Sequence, residues 1–330
     1  MKRIFWIFAG MFAMLSFMSC EEEVNDGEKD ELIRLQAYMS IHYPDLEPSS
    51  TGLYSIIYEQ GEGVSPQEND YIIYNYTASN LDGEVFETSI YNVAYLNNIY
   101  SASSRYVPDY KPFNEITFIA GLYEGISQLK PFARARFIIP SSLAWGSGYH
   151  NGQGPYASVI IDIELEEIVT DTEAKETEII EEFLADYFPF GCPDSVMRDS
   201  VYYLEVNEGL GEYFVKDDIV DVNYVGRYID GKVFDTNIES VAKENGIYKS
   251  GTSYLPKEMI VESDEIIEGF SLVLKRLRRE GSATVIIRSN RAYGAAGTGN
   301  IHPYEPLIFE ITVVTEYDED EDGDNNDVDE

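Results

Sequence analysis

Cysteine is almost missing from the 330 residues: Cys20 and Cys192 are the only two, which excludes a disulfide framework. Three histidines and scattered acids leave little material for a dedicated transition-metal site. Positive charge is scarce as well, with 23 Lys and Arg against 60 Asp and Glu and a net charge of −37. Such a surface repels phosphate and argues against nucleic acid as a partner. Beyond the first twenty residues no apolar run is long enough to span a bilayer. What is present is material for a core. Apolar residues make up 44%, and 26 Tyr with 16 Phe are too many aromatics for a disordered chain. At about 100–200 residues per domain, the length implies two domains.

Residues 1–19 read as a secretory signal peptide: Lys2 and Arg3 lead a short apolar core that ends at Ser19 before Cys20. A cysteine in that place resembles a bacterial lipobox, with Phe17 where Leu is usual. The resemblance implies lipidation of Cys20, a membrane anchor through that lipid, and a cell-envelope location at the outer membrane, periplasmic or surface-exposed. Residues 20–30 read as an acidic tether. Their Glu21, Glu22 and Glu23 resemble the export tag of surface lipoproteins in the Bacteroidota. Cys192 falls between expected elements as an idle thiol.

The central feature is an internal repeat. An offset of 148 residues places Tyr54 on Tyr202, Gly61 on Gly209, Tyr76 on Tyr224, Asp82-Gly83 on Asp230-Gly231, Phe86 on Phe234 and Gly121 on Gly269, without a gap from residue 52 to 161. Each copy starts with an apolar-periodic stretch, 32–43 and 179–188, closed by Pro44 and Pro189, and each stretch predicts a short leading helix. Thr170 followed by Glu173 suggests a capping box for the second. The domain boundary then falls near residues 169–172, giving domains 31–169 and 170–317.

Within copy two, Val220, Val222 and Tyr224 alternate with Asp221 and Asn223 as in a half-buried strand, and Asp230-Gly231 signals a hairpin. Residues 266–277 carry a helical stripe of Ile266, Phe270, Val273 and Leu277. Copy one repeats these patterns. The expected fold class is α+β: in each domain an antiparallel sheet wraps around one helix and follows a short leading helix. The cluster Lys275, Arg276, Arg278 and Arg279 reads as favourable charge at a helix C-terminus, with docking of an acidic partner as the alternative.

The segments Val222-Asn223-Tyr224-Val225-Gly226, Asp230 to Asp235, Ile266-Ile267-Glu268-Gly269-Phe270, Ala292-Tyr293-Gly294 and Leu307 to Ile311, in that order, resemble the FKBP-type peptidyl-prolyl cis–trans isomerases. The resemblance covers roughly residues 51–169 and 199–315. It implies a prolyl pocket in the second domain built by Tyr224, Phe234, Asp235, Phe270, Tyr293 and Phe309, with Ile266, Ile267 and Ile301 as further substrate-binding residues. Phe270 stands where the family's floor is usually Trp. Tyr293 would donate its hydroxyl to a substrate carbonyl, and Asp235 would orient the pocket's tyrosine.

In the first domain the matching positions are Tyr76, Phe86, Glu87, Ile119, Leu122, Trp145 and Ile161. Glu replaces Asp, Leu replaces the floor aromatic, Ile replaces the last Phe, and the glycine-rich loop 146–155 lacks the aliphatic residue that Ile301 supplies. This copy is expected to be weak or inactive. Both copies carry an extension, 90–117 and 238–265, beside the expected pocket.

The implied activity needs no cofactor and no metal. Its partners would be proline-containing polypeptide clients, for which the chain, as a monomer, would act as a folding assistant for envelope or exported proteins. A rival reading is a non-catalytic scaffold that holds peptides or partners in the same pocket. A third is a glycan or adhesion surface, for which the tyrosines between 91 and 110 are the hint. Taken singly, the pocket aromatics also read as plain core. Residues 318–330 read as a disordered acidic tail, in which Asp318, Asp320, Asp322 and Gly323 resemble the start of a calcium loop without its closing glutamate and helix.

Overall fold

Alternation of β-branched or aromatic residues with polar ones commits 71–80 and 219–228 to the strands on which each sheet is built. The computed structural model describes residues 26–193 and 196–314. The signal peptide, Cys20, the start of the tether and the acidic tail with its calcium-like motif lie outside the described residues.

The first domain runs α1 (Asp26–His42), β1 (Tyr54–Glu59), β2 (Tyr71–Asn80), β3 (Val85–Thr88), α2 (Tyr91–Leu96), β4 (Asp109–Pro112), α3 (Ala120–Ile126), β5 (Ala133–Ile139) and β6 (Val159–Val169). Its strands order as β1-β5-β6-β2-β3, with β4 also on β2, all antiparallel. The second runs α4 (Thr172–Tyr187), β7 (Met197–Arg198), β8 (Val201–Asn207), β9 (Ile219–Tyr228), β10 (Val233–Thr236), α5 (Glu239–Glu244), β11 (Lys257–Ile260), α6 (Glu268–Leu274), β12 (Ser282–Ile287) and β13 (Leu307–Val313). Its order, β10-β9-β13-β12-β8-β7 with β11 on β9, repeats the first and adds β7 at the edge. Both domains are α+β with antiparallel sheets.

Strand alternation sends side chains to two different cores. In β12, Val285 and Ile287 face α6, joining Phe270, Val273, Leu274, Leu277 and Phe309, while Ile286 faces the leading helix with Ile180, Leu184 and Ile308. In β5, Phe137 and Ile139 face α3, and Ile138 meets Leu35 and Met39 of α1. Each such side chain, fully buried, contributes about 1.5–3 kcal/mol. The leading helices therefore seal the outer face of each sheet.

Several local expectations are corrected. The helix α1 begins at Asp26, inside the stretch read as a tether, with Asp26 and Glu28 favourably placed in its first turn. The helix α4 begins at Thr172 rather than 179, and its cap is Asp171, whose carboxylate accepts the Ala174 N–H at 2.9 Å; Thr170 does not cap it. The pocket helix is shorter than 266–277 because Ile267 is extended (φ −61°, ψ 144°) and single turns take over after Leu274. Each extension folds into a short helix and a strand, α2 with β4 and α5 with β11. The basic cluster is used at home: Lys275 pairs with Glu262, Arg278 with Glu208, and Arg276 lies over the Tyr203 ring.

Candidate active site

The second domain holds a cleft of about 770 Å³ between β9, β13, α6 and the extension. Five stretches of the chain build its aromatic and aliphatic lining. Tyr224 comes from the inward face of β9, Phe309 from β13, where it pairs with Gly226, and Phe270 from the first turn of α6. Phe270 and Phe309 are each 4% exposed and meet edge-to-face at 5.1 Å, and Tyr224 meets Phe270 edge-to-face at 5.9 Å. Ile266 and Ile267 line the wall on the extended approach to α6, and Tyr293 stands opposite, after the short turn Ser289–Arg291.

The polar edge is narrow. The Tyr224 hydroxyl donates to Asp235 Oδ2 at 2.8 Å, which fixes both groups. Burial, and then the Asp235 charge, push the Tyr224 phenol well above its ordinary value. The same two causes, in the same order, raise Tyr293. Both hydroxyls therefore stay protonated as hydrogen-bond donors at neutral pH. An apolar ring of this kind with one or two aimed donors suits a small, nearly planar, weakly polar group.

Phe234 and Ile301 do not line this cleft directly: Ile301 is buried in the adjoining core, and Phe234, half-buried, packs against that core and against Phe309 at 5.8 Å. Gly226 makes room for that packing. A Cβ at this position would come 2.7 Å from the Phe234 ring and 3.0 Å from Phe309.

Sequence reading places the extension beside the pocket but misses the residues with which it forms the far wall. Met259 and Lys257 reach the cleft from β11, which the extension adds to the edge of β9, and the turn after it brings Glu262, Asp264 and Glu265 to the mouth. Acids there outnumber Lys257, although Glu262 is paired with Lys275 and Glu268 with Arg291. Also missed was Glu176 of α4, 4% exposed, which accepts the Ser289 N–H at 2.5 Å and an Arg288 N–H at 3.3 Å. It anchors the turn that leads to Tyr293. The signal was available as an acid on the apolar stripe with Ile180 and Leu184, matched by Glu31 with Leu35 and Met39.

The first domain does not gather its matching residues around one open space. Tyr76, Phe86 and Glu87 border a polar hollow of about 490 Å³, whereas Leu122 and Ile161 are buried in the core and Ile119 and Trp145 pack against it. The loop after Trp145 folds back over the site. His150 stacks on Trp145 at 3.8 Å and 8°, and its Nε2 lies 2.9 Å from Glu87 Oε2, which also accepts from Asn151 at 2.6 Å. Tyr76 donates to the other Glu87 oxygen at 2.7 Å. Burial alone would raise the Glu87 carboxyl, but the hydrogen bonds from Tyr76, His150 and Asn151 and the His150 charge outweigh it and hold the pKa below the usual value.

Comparison with known proteins agrees with this geometry. The chain is 43% identical over 79 residues to a short-type peptidyl-prolyl cis-trans isomerase of Methanocaldococcus jannaschii, covering 24% of this chain and 50% of that one. It is 30% identical over 150 residues to the FKBP-type peptidyl-prolyl cis-trans isomerase FkpA of Escherichia coli, covering 46% and 48%. It is 27% identical over 252 residues to the human peptidyl-prolyl cis-trans isomerase FKBP10, covering 75% and 34%. The chain thus spans half or less of the length of these curated relatives. The family model for FKBP-type peptidyl-prolyl cis-trans isomerases matches twice, at residues 62–166 and 211–314, so the chain belongs to that family with two copies of its domain.

Proposed function

We propose that the second domain is a peptidyl-prolyl cis–trans isomerase and that the first is a divergent copy without turnover. The whole would serve as a folding assistant for proline-containing envelope or exported polypeptides, tethered by a lipid on Cys20. One observation carries the assignment of activity to the second domain: its aromatic residues line one open cleft, whereas the matching residues of the first domain share none, and His150 there stacks on Trp145 and bonds Glu87. The names of the relatives support the activity, and the signal-like first twenty residues support the location.

Rotation about an Xaa–Pro bond meets a barrier of about 18–20 kcal/mol, set by amide resonance. A site lowers that barrier if it binds the twisted imide better than either planar form. The prolyl ring would sit on Phe270 between Tyr224, Ile267 and Phe309. Removal of water from the imide carbonyl disfavours the charge-separated resonance form, and the Tyr293 hydroxyl would hold the carbonyl of the twisted state. No bond is made or broken in this scheme.

A proline-limited refolding assay with the full chain tests it. Phe270→Ala should lower the acceleration at least about tenfold, equivalent to about 1.4 kcal/mol of transition-state binding, with the fold intact by circular dichroism. Trp145→Ala in the first domain should leave the rate unchanged. No acceleration by the wild type, together with retained binding of a proline tetrapeptide, would instead favour a non-catalytic peptide-holding scaffold.

A further inference from the structure

The two copies differ most in what their extensions touch. In copy one the segment between α2 and β4 reaches across to the second domain. There Arg105, whose side chain is 8% exposed, donates to Glu305 at 2.5 Å and to Asp230 at 3.3 Å, with its guanidinium 3.7 Å above the Tyr228 ring. Glu305 uses its second oxygen to accept the His302 N–H at 2.8 Å. Around this centre, Asn300 donates to the Ser103 carbonyl at 2.7 Å, Lys232 donates to that of Ser104 at 2.9 Å, and Tyr304 meets Tyr71 edge-on at 5.3 Å.

These contacts grip two pieces of the second domain that back its cleft. The first is the loop 294–306, which leaves Tyr293, buries Ile301 in the pocket core and returns into β13 with Phe309. The second is the β9–β10 hairpin. The Tyr228 ring beneath Arg105 packs on Phe234 at 5.0 Å, and Phe234 packs on Phe309 at 5.8 Å. A continuous stack therefore runs from Arg105 to the cleft. The equivalents of Arg105, Tyr228, Asn300 and Glu305 in the other copy are Ser253, Asn80, Gly152 and Ala157, so the duplication has retained nothing like this contact in the reverse direction.

We propose that the first domain acts as a positioning subunit for the second, with Arg105 as the residue that holds Phe234 behind the Phe309 wall, and the Ile301 loop, in their working places. This rests on the reading of the second domain as the isomerase. The physical reason is that a site working by shape is sensitive to displacement of its walls, and side chains held from behind are the ones that stay put. An arginine suits the role because one planar group satisfies two carboxylates and stacks on a ring at once. A buried pair of this kind is strongly disrupted when one partner is removed.

The test uses the full chain, wild type and Arg105→Ala, with a proline-containing tetrapeptide as substrate in one arm and as ligand in another. Backbone amide exchange is followed in parallel. Arg105→Ala should lower kcat/KM roughly fivefold or more, the size of a typical coupling between sites. It should speed exchange at Thr298, Ile301 and Tyr304, and leave exchange in α3 and β5 unchanged. Glu305→Gln, whose single amide oxygen can accept from Arg105 or from the His302 N–H but not from both, should lower the rate and speed loop exchange in the same direction as Arg105→Ala. Asn300→Ala provides a surface variant that removes one bond, and it should move rate and exchange in the same direction by less.

Faster loop exchange with unchanged kcat/KM and peptide affinity would reduce the contact to a joint between domains and overturn the proposal. No change in either would show that the contact does not hold the loop. If the wild type binds the tetrapeptide without turnover, the isomerase reading fails separately, and loss of affinity in Arg105→Ala still supports positioning. A wild type that neither binds nor turns over the tetrapeptide overturns both.

Discussion

The carboxylate of Glu176 and the backbone N–H of Ser289 meet at 2.5 Å across 113 positions of sequence, and Glu31 meets the N–H of Ser141 at 2.6 Å in the other copy. In both, an acid of the leading helix satisfies the first donor of the turn that delivers Trp145 or Tyr293 to the site. The leading helix is thus part of the site's support as well as a cover for the sheet. Replacing Glu176 by Ala strands the buried Ser289 N–H and removes the carboxylate beside the Arg288 guanidinium, which keeps only Thr177 Oγ1 and the Glu173 carbonyl, and should cost about 3 kcal/mol of second-domain stability. Glu176→Gln, which retains an acceptor, should cost less and keep more of the isomerase rate. Urea denaturation together with the rate of the folded variants checks both.

The Tyr224–Asp235 contact sets a second expectation. Burial followed by the Asp235 charge raises Tyr224, and the same causes raise Tyr293, so neither phenol ionises before pH 10. The isomerase rate should therefore be flat from about pH 7 to pH 10 as far as these groups are concerned. Tyr224→Phe should lower kcat/KM by about 1 kcal/mol, the net worth of one hydrogen bond, without introducing a new limb. A limb below pH 10 that vanishes in Tyr293→Phe would show that the hydroxyl loses its proton in the working range.

Gly226 gives the sharpest contrast between the copies. Its counterpart is Ala78, which pairs across the sheet with Ile161, whereas Gly226 pairs with Phe309. A methyl group is accommodated beside the isoleucine, but beside Phe309 it would drive into the Phe234 ring at 2.7 Å. Gly226→Ala should destabilise the second domain by about 1–3 kcal/mol, the usual cost of overpacking. It should also slow isomerisation, because Phe234 and Phe309 must separate. A thermal melt with normal stability and a normal rate would show that the wall yields freely.

These three relationships mark where sequence reading reached and where it stopped. The 148-residue offset carries the element order because duplicated residues such as Tyr76/Tyr224 and Asp82-Gly83/Asp230-Gly231 occupy the same strand and turn in each domain. Short-range chemistry was less legible. Asp171 displaces Thr170 as cap because its extended backbone (φ −128°) is the one that turns into the helix. The six-residue helices α2 and α5 have no side-chain cap and too few turns to show a period. Aromatic identity did not separate wall from backing: Phe234 and Phe309 lie on β10 and β13, on either side of β9, but of the two Phe309 lines the cleft. Arg105 could not be found at all, since its partners lie 125 and 200 residues away and nothing local distinguishes it.

The domain contact should carry a pH signature. Burial first, then the charge of Arg105, push the His302 imidazole down to about 4; Lys111 adds to this and Asp109 opposes it. A depressed imidazole contributes stability that is present above its unfolded value of about 6.5 and is lost as pH falls through about 4, a loss of at most about 3 kcal/mol. Glu305 runs the other way. Burial raises its carboxyl despite Arg105, so its contribution favours the folded state at low pH and fades as pH rises through the raised value. The stability of the full chain should fall between pH 6.5 and 4, and His302→Gln should flatten that slope. Glu305→Gln should leave the His302 slope in place and remove the opposing one.

Charge at the cleft mouth makes the last expectation one about substrates. Asp264 and Glu265 stand there with Glu262 and Glu268, against Lys257 alone on the wall, on a chain that is strongly acidic throughout. Lys275 and Arg291 offset two of those acids, so a residual negative field faces an incoming peptide. Peptides with Lys or Arg next to the Xaa–Pro bond should bind better than their Glu counterparts by about 1 kcal/mol, roughly fivefold in KM, at low ionic strength. Because the mouth is exposed to solvent, the difference should shrink as salt shortens the Debye length from about 30 Å at 0.01 M to about 8 Å at 0.15 M. Asp264→Asn with Glu265→Gln should abolish most of the preference while leaving kcat unchanged, since these two groups meet the flanking residue and not the imide. A preference for basic peptides that survives the double substitution would point instead to the field of the whole chain.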